Sequence, residues 1–159
     1  MSTQWESAPQ APPGSYSNNR ASGPRAGFWI RFAALLLDGL ILGIPFGILF
    51  VIATSISNGL GVLVYVLWIL SYIAYPVYFE GGPTGATYGK RICGIKVIDF
   101  DNGGPIGYGR AFVRWLMKIV SGIPLYLGYF WMLWDKEKQC WHDKAAGDVV
   151  VPVDAYPVS

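Results

Sequence analysis

The residues most able to do chemistry in this sequence are ionisable groups set among apolar ones. Asp38 stands inside an apolar run from Phe28 to Ala53, with Arg31 seven positions before it. At about 100° per residue, helical positions seven apart fall within about 20° of one another, so Arg31, Asp38 and Pro45 share one face. Arg31 lies one turn inside the run, where its side chain can snorkel to headgroups. Asp38 comes ten residues after Phe28, a depth of about 15 Å at roughly 1.5 Å per residue. A carboxylate there is either a proton- or cation-binding group facing a polar cavity, or a structural acid that fixes helix packing through a cation or a tyrosine. Both readings stay open. Pro45 removes the backbone bond to Ile41 and is read as a tolerated membrane-helix proline or as a kink that frees a carbonyl.

Two further patterns bear on how such a helix would pack. Gly39, Gly43 and Gly47 form a ladder of glycines four apart on another face, which permits close approach of a second helix, within the chain or between subunits. In the second apolar run Tyr65, Trp68, Tyr72, Tyr75 and Phe79 repeat at spacings of 3 and 4. Such a stripe reads as core packing. Counting back from Phe79 sets Trp68 and Tyr72 on either side of the depth of Asp38, so the Tyr72 hydroxyl or the Trp68 indole is the expected partner of its carboxylate.

Several motif-like stretches fall short of the chemistry they suggest. Gly85-Ala86-Thr87-Tyr88-Gly89-Lys90-Arg91 is one residue short of a phosphate-binding loop and lacks the hydroxyl that would hold Mg²⁺. Asp99-Phe100-Asp101-Asn102-Gly103 opens like a calcium loop, but Arg110 stands where the twelfth-position glutamate belongs. His142 has no second histidine at metal-ligand spacing and reads as a hydrogen-bonded structural residue. Cys93 and Cys140 lie far apart, with no C-x-x-C pair, and read as free thiols on a reducing side. No catalytic set, metal site or cofactor is expected, and the chain does not read as an enzyme.

The elements that must position these groups are membrane-like. Charged residues make up 14% of the chain and hydrophobic ones 53%, against roughly 25% charged in an ordinary soluble domain. A net charge of only +2 excludes the dense basic face of a nucleic-acid binder. Sixteen of the 26 positions from Phe28 to Ala53 are Leu, Ile, Val or Phe. At about −0.3 to −0.6 kcal/mol each they outweigh a penalty of about 3 kcal/mol for Asp38. Residues 60–79 make a second uncharged run, ended by Glu80-Gly81-Gly82-Pro83. Arg20, Arg25 and Arg31 precede this pair, Lys90, Arg91 and Lys96 follow it, and the turn at 54–59 has no cation. The positive-inside rule therefore places the N-terminus in the cytoplasm and the turn outside.

Residues 1–26, rich in Pro, Ser and Ala, read as a disordered cytoplasmic tail. Residues 27–153 form the membrane domain, and 154–159 a C-terminal tail. Beyond the helix pair, Ile92–Asp99 and Asp148–Val153 read as strands of a small cytoplasmic β-hairpin. Between them, residues 112–134 are apolar with Arg114 and Lys118 early, the two cations snorkelling, and Gly122-Ile123-Pro124 in the middle. That break and the need for the strands to meet favour a re-entrant or interfacial segment over a third span. The expected architecture is thus all-α and integral to the membrane, with two transmembrane helices and one broken segment. Two helices alone cannot enclose a pathway, which points to a homo-oligomer or a membrane-protein partner.

The motifs Gly27-Phe28-Trp29-Ile30-Arg31-Phe32-Ala33, Thr87-Tyr88-Gly89-Lys90-Arg91 with Gly94-Ile95-Lys96-Val97, and Trp141-His142-Asp143-Lys144-Ala145-Ala146-Gly147 resemble, in order, those of the RDD family of membrane proteins. The resemblance runs from about Gly27 to Val151. It implies that Arg31 and Asp38 are the family's arginine and first aspartate, and that the second aspartate is Asp143, with Asp135 the alternative. Asp148 stands where the family usually has threonine. The resemblance also implies a plasma-membrane protein of unsettled molecular function, with transport commonly suggested and cation/proton exchange reported for some members. The alternative is a scaffold or assembly factor acting through helix packing and the cytoplasmic loop.

Overall fold

The structure is a computed structural model describing residues 23–155. The tail expected over residues 1–22 and the last four residues of the expected C-terminal tail lie outside the described residues. Helix α1 covers Phe28–Ile56 and α2 covers Asn58–Gly81. Both are long and apolar enough to cross a membrane. Each outruns its apolar segment at the turn, because only Ser57 separates them; its hydroxyl caps α2 by accepting from the Leu60 N–H at 3.2 Å. A side chain at Gly61 would collide with Thr54, so glycine is what lets the helices meet this close to the turn. Helix α1 runs unbroken through Pro45. The aromatic stripe meets α1 in part, with Trp68 stacked on Phe46 and Tyr65 against Phe50, each pair 6.3 Å apart, but Tyr65 and Tyr72 stay half exposed, so it is not core packing throughout.

The remaining elements are α3 (Tyr88–Ile92), β1 (Ile95–Asp99), α4 (Gly107–Gly122), α5 (Leu127–Phe130), α6 (Trp141–Ala146) and β2 (Asp148–Pro152), with single 3₁₀ turns after α5 and β2. The strands pair antiparallel, Val97 opposite Val150 and Asp99 opposite Asp148. They are not a hairpin, as their sequences suggested. The tight turn after β1 leads into α4, and the partner strand arrives only after α4, α5 and α6. Both outer edges of this two-strand ladder are covered by backbone. The Val97 N–H donates to the Gly85 carbonyl at 2.8 Å, and the Ala26 N–H to the Val150 carbonyl at 2.9 Å. One face packs Ile95, Val97 and Val150 with Ala26, Ala34, Ile106 and Ala111, and the other joins Ile98, Val149 and Val151. Ala26 and Arg25, read from composition as tail, therefore belong to the folded unit, and Arg25 is bound to Glu137 at 2.7 Å.

The stretch expected to break at Gly122 and Pro124 does break there. Helix α4 begins earlier than its apolar run, at Gly107, and meets the Leu127–Leu133 segment at 112°. Leu125 and Tyr126 at the bend hold positive φ, a backbone state costly for side chains of this size, and Leu125 is almost fully exposed. The bend returns the chain so that α6 packs on α4 and β2 reaches β1.

This pairing makes a topological prediction. With Cys93 replaced by serine and the buried Cys140 kept, single cysteines at Asn102 and Asp154 should react with an impermeant maleimide from the same side of the membrane. Labelling from opposite sides would require three spans.

Candidate functional site

Arg31 does not snorkel outward. Its guanidinium bonds the Asp143 carboxylate at 2.7 Å, the Lys138 carbonyl at 2.9 Å and the Ala26 carbonyl at 3.1 Å. The same aspartate receives Arg114 of α4 on its other oxygen and the Cys140 N–H at 2.9 Å, closing the first turn of α6. Asp143 is fully buried between two guanidiniums. Asp135 instead takes Lys144 and the backbone of Glu137 and Gln139, so Asp143 is the aspartate that meets Arg31.

Arg114 continues the network. It binds Asp148 as well as Asp143, and its Nε donates to Glu80 at 2.8 Å. Glu80, at the end of α2, also accepts from Lys90 at 2.7 Å and Lys118 at 3.2 Å. Sequence reading missed Glu80, Lys90, Arg114, Lys118 and Asp148 as site residues. It took Arg114 and Lys118 for snorkelling cations, yet both turn inward. Their partners lie 29 to 38 residues away in sequence, too far for any local spacing signal.

Asp38 sits in a separate cradle and does not touch Arg31. Its carboxylate accepts the Tyr75 hydroxyl at 2.7 Å, the Thr87 hydroxyl at 2.6 Å and the Gly89 N–H at 2.8 Å. The expected partners are corrected by this geometry. Tyr72 has no hydrogen bond to Asp38, and the Trp68 indole nitrogen is buried without a partner. The register follows from the turn at Ser57, nineteen residues after Asp38 and eighteen before Tyr75, and not from the far helix ends. Gly89 is obligatory here, since a Cβ would lie 2.8 Å from the Asp38 carboxyl carbon. The stretch resembling a phosphate loop thus spends its Gly89 amide and Thr87 hydroxyl on the chain's own carboxylate. Likewise, the calcium-like loop has Arg110 on Asp99 in place of a cation.

The glycine ladder is little used within the chain. A Cβ at Gly39 would meet only the Tyr72 hydroxyl, at 3.8 Å, and nothing lies within 4 Å at Gly43 or Gly47. Gly39 instead lines an open-sided cavity of about 420 Å³ bordered by α1, α2, α4 and α5. Its walls include Phe32, Leu35 and Ile119, and Glu80, Lys90 and Lys118 line it as well.

The electrostatics are set by burial against neighbours. Burial would raise Asp143, but the Arg114 and Arg31 guanidiniums hold it well below the usual carboxylate range. Asp148 is pushed well above that range, burial and Asp143 together outweighing Arg114, and one of its oxygens is buried without a partner. Burial also pushes Lys90 down to about 8, against the pull of Glu80. His142 is held neutral by burial; its Nε2 lies 3.4 Å from Asp143, and its Nδ1 has no partner. Cys140, His142 and Asp143 bring ligand atoms within 4.8 Å of one another. Two guanidiniums on Asp143 and a Cys140 thiol pushed up to about 12 oppose a cation there. Both cysteines are free.

Two apolar helices clasped to a small ladder by a buried arginine–aspartate network define a class of protein compatible with the membrane. The profile of the RDD family matches residues 25–147, and the chain belongs to that family. It is 31% identical to the uncharacterized protein YxaI of Bacillus subtilis, covering 74% of this chain and 91% of that one. It is 32% identical to the proline-rich antigen of Mycobacterium leprae over 60% of this chain and 40% of that protein. A homolog of that antigen in Mycobacterium tuberculosis matches at 32% over 55% of this chain and 39% of its own length. The chain thus spans about two fifths of the mycobacterial relatives it matches. No solved structure matches.

Removing one partner of a buried pair strands the other, at a cost of about 3–5 kcal/mol, whereas a partly exposed pair is worth about 0–1 kcal/mol. Asp143→Asn should therefore lower thermal stability in detergent far more than Asp135→Asn. The pH signs differ within the network. Asp143, being depressed, stabilises the fold above the ordinary carboxylate range, and that contribution is lost as pH falls through its folded value. Asp148, being raised, contributes fully below the ordinary range and loses its contribution as pH rises through its folded value. Melting curves of Asp148→Asn should accordingly be flatter on the alkaline side than those of the parent. Separately, Gly89→Ala should destabilise more than Tyr75→Phe, which removes one hydrogen bond worth about 1 kcal/mol.

Proposed function

We propose that this chain is a multi-pass plasma-membrane protein with its N-terminus in the cytoplasm, and that it serves ion- or proton-coupled transport. The observation that carries this reading is the cavity bounded by both apolar helices and by Glu80, Lys90 and Lys118. Buried ionisable groups beside a cavity that two membrane-spanning helices border are the usual parts of a proton or ion path. The titrating centre in this reading is the Glu80–Lys90–Arg114–Asp148 network. Asp38, which the sequence offered first, acts as the positioning residue that holds the loop at Thr87–Gly89 against α1. The lack of cations at the 54–59 turn supports the orientation, and the length and composition of α1 and α2 support insertion.

A second reading is a membrane scaffold or assembly factor. It is favoured by Gly43 and Gly47, which meet nothing within the described residues and are free to pack against a second copy or another membrane protein. Enzyme activity has no support in either reading.

Proton flux into liposomes driven by a cation gradient separates the two. The transport reading expects flux from the parent and at least a tenfold loss in Glu80→Gln. If Glu80→Gln unfolds, Glu80→Gln/Lys118→Met removes one charge of each sign and should be equally inactive. A parent protein without flux, or a mutant with full flux, would overturn transport and leave the scaffold.

A further inference from the structure

We propose that the cavity binds a single-chain amphiphile with an anionic head, its chain along the apolar wall and its head on Lys118. The inference rests on the cavity assigned above to the transport reading, but it requires no ion to cross. Three observations carry it.

The first is size and lining. About 420 Å³ falls within the range of small-ligand pockets, roughly 300–1,000 Å³. Phe28, Phe32, Leu35, Leu42, Trp115 and Ile119 give it an apolar wall. Gly39 leaves that wall open, where a large side chain would project into the space beside the Tyr72 hydroxyl.

The second is uncompensated charge. Glu80 is a single carboxylate shared by three cations. Its Oε1 is 2.7 Å from Lys90, its Oε2 is 2.8 Å from Arg114, and Lys118 holds the longest contact at 3.2 Å. Lys118 is also the most exposed of the three, with 22% of its side chain accessible against 10% for Lys90 and 3% for Arg114. Its ammonium has three donors, of which Glu80 takes one. It is the cation with charge and hydrogen bonds to spare, and it lines the cavity.

The third is neutral donors in the same lining. The Tyr72 and Tyr126 hydroxyls carry no hydrogen bond among the described residues, and both border the cavity. A carboxylate or phosphate head accepts from hydroxyls and ammonium alike, with charge-assisted bonds the stronger. A neutral amphiphile would use the wall and leave Lys118 unpaired. A polar anion without a chain would leave the wall empty.

The test uses full-length protein in nanodiscs of zwitterionic lipid and reads quenching of Trp115 by brominated chains. The Trp115 signal is isolated as the difference between the parent and Trp115→Phe. The probes are brominated dodecanoate, brominated dodecyl phosphate and brominated dodecanol. Dodecanoate and the phosphate distinguish a fatty-acid-type head from a phospholipid-type head, and saturable quenching by either supports the proposal. Lys118→Gln should weaken the anionic probes about tenfold, the scale of one charge-assisted bond, and leave dodecanol unchanged. Glu80 keeps Lys90 and Arg114 in that variant. Gly39→Leu, or Leu42→Trp should the first not fold, should abolish saturable binding of the anionic probes. Equal affinity for dodecanol and dodecanoate, or an unaltered Lys118→Gln, would overturn the proposal. Binding without flux in the liposome assay would remove transport and leave this inference standing.

Discussion

The structure depends on one carboxylate held between two guanidiniums. Asp143 joins Arg31 of α1 to Arg114 of α4 from the first turn of α6, and all three are withdrawn from solvent. Taking a charge into such a site costs several kcal/mol per ion, recovered only when each donor and acceptor is met. Here the condition is nearly satisfied. Arg31 spends its remaining donors on the carbonyls of Ala26, Lys138 and Val150, and Asp143 closes its own helix turn through Cys140. The partners are 112 residues apart in the chain, so this clasp closes nearly the whole domain. It also places Ala26 and Val150 so that the N-terminal segment covers the outer edge of β2.

Asp38 provides a second clasp of a different kind. Its three donors are a phenol, an alcohol and an amide, with no cation among them. It fixes α3 to α1, and α3 in turn presents Lys90 to Glu80. The two residues that share a helix face in projection thus serve two sites. Arg31 is near the helix start and reaches past it toward α6 and β2, whereas Asp38 is far enough along to meet α2 and the returning loop. Helical phase alone could not separate them, because phase records direction around the axis and not what lies at each depth.

This difference marks what the sequence could reveal. The helix pair, the break at Gly122 and Pro124, and the meeting of the strands around Ile95 and Val150 were legible, because run length, proline and glycine chemistry and β-branched content are local signals. The hairpin expectation failed because the same strand pattern is compatible with a long connection. Tyr72 was chosen over Tyr75 because depth was counted from the far ends of the helices, when the one-residue turn at Ser57 sets the register. Arg114 and Glu80 were illegible for a stronger reason. Each looks like an ordinary boundary charge beside an apolar run, and only the 112° bend after α4 turns Arg114 toward α6. Residue type and spacing supplied Arg31 and Asp38, and family resemblance added Asp143, but neither supplied the second arginine that neutralises Asp143.

The network alternates in sign, from Arg31 through Asp143 and Arg114 to Glu80 and its two lysines. Asp148 is the member that breaks this alternation. It shares a guanidinium nitrogen of Arg114 with Asp143, and its other oxygen is buried without a donor. Two carboxylates on one nitrogen cannot both ionise at equal cost, so the better-supplied Asp143 is held below the usual carboxylate range and Asp148 is pushed above it. A threonine there would supply a hydroxyl without this competition. The aspartate therefore adds a group biased toward its neutral form beside Asp143, which is biased toward its charged one. On the cavity side, burial pushes Lys90 down to about 8. Asp148 and Lys90 are thus the two members whose neutral forms burial favours, separated by Arg114 and Glu80.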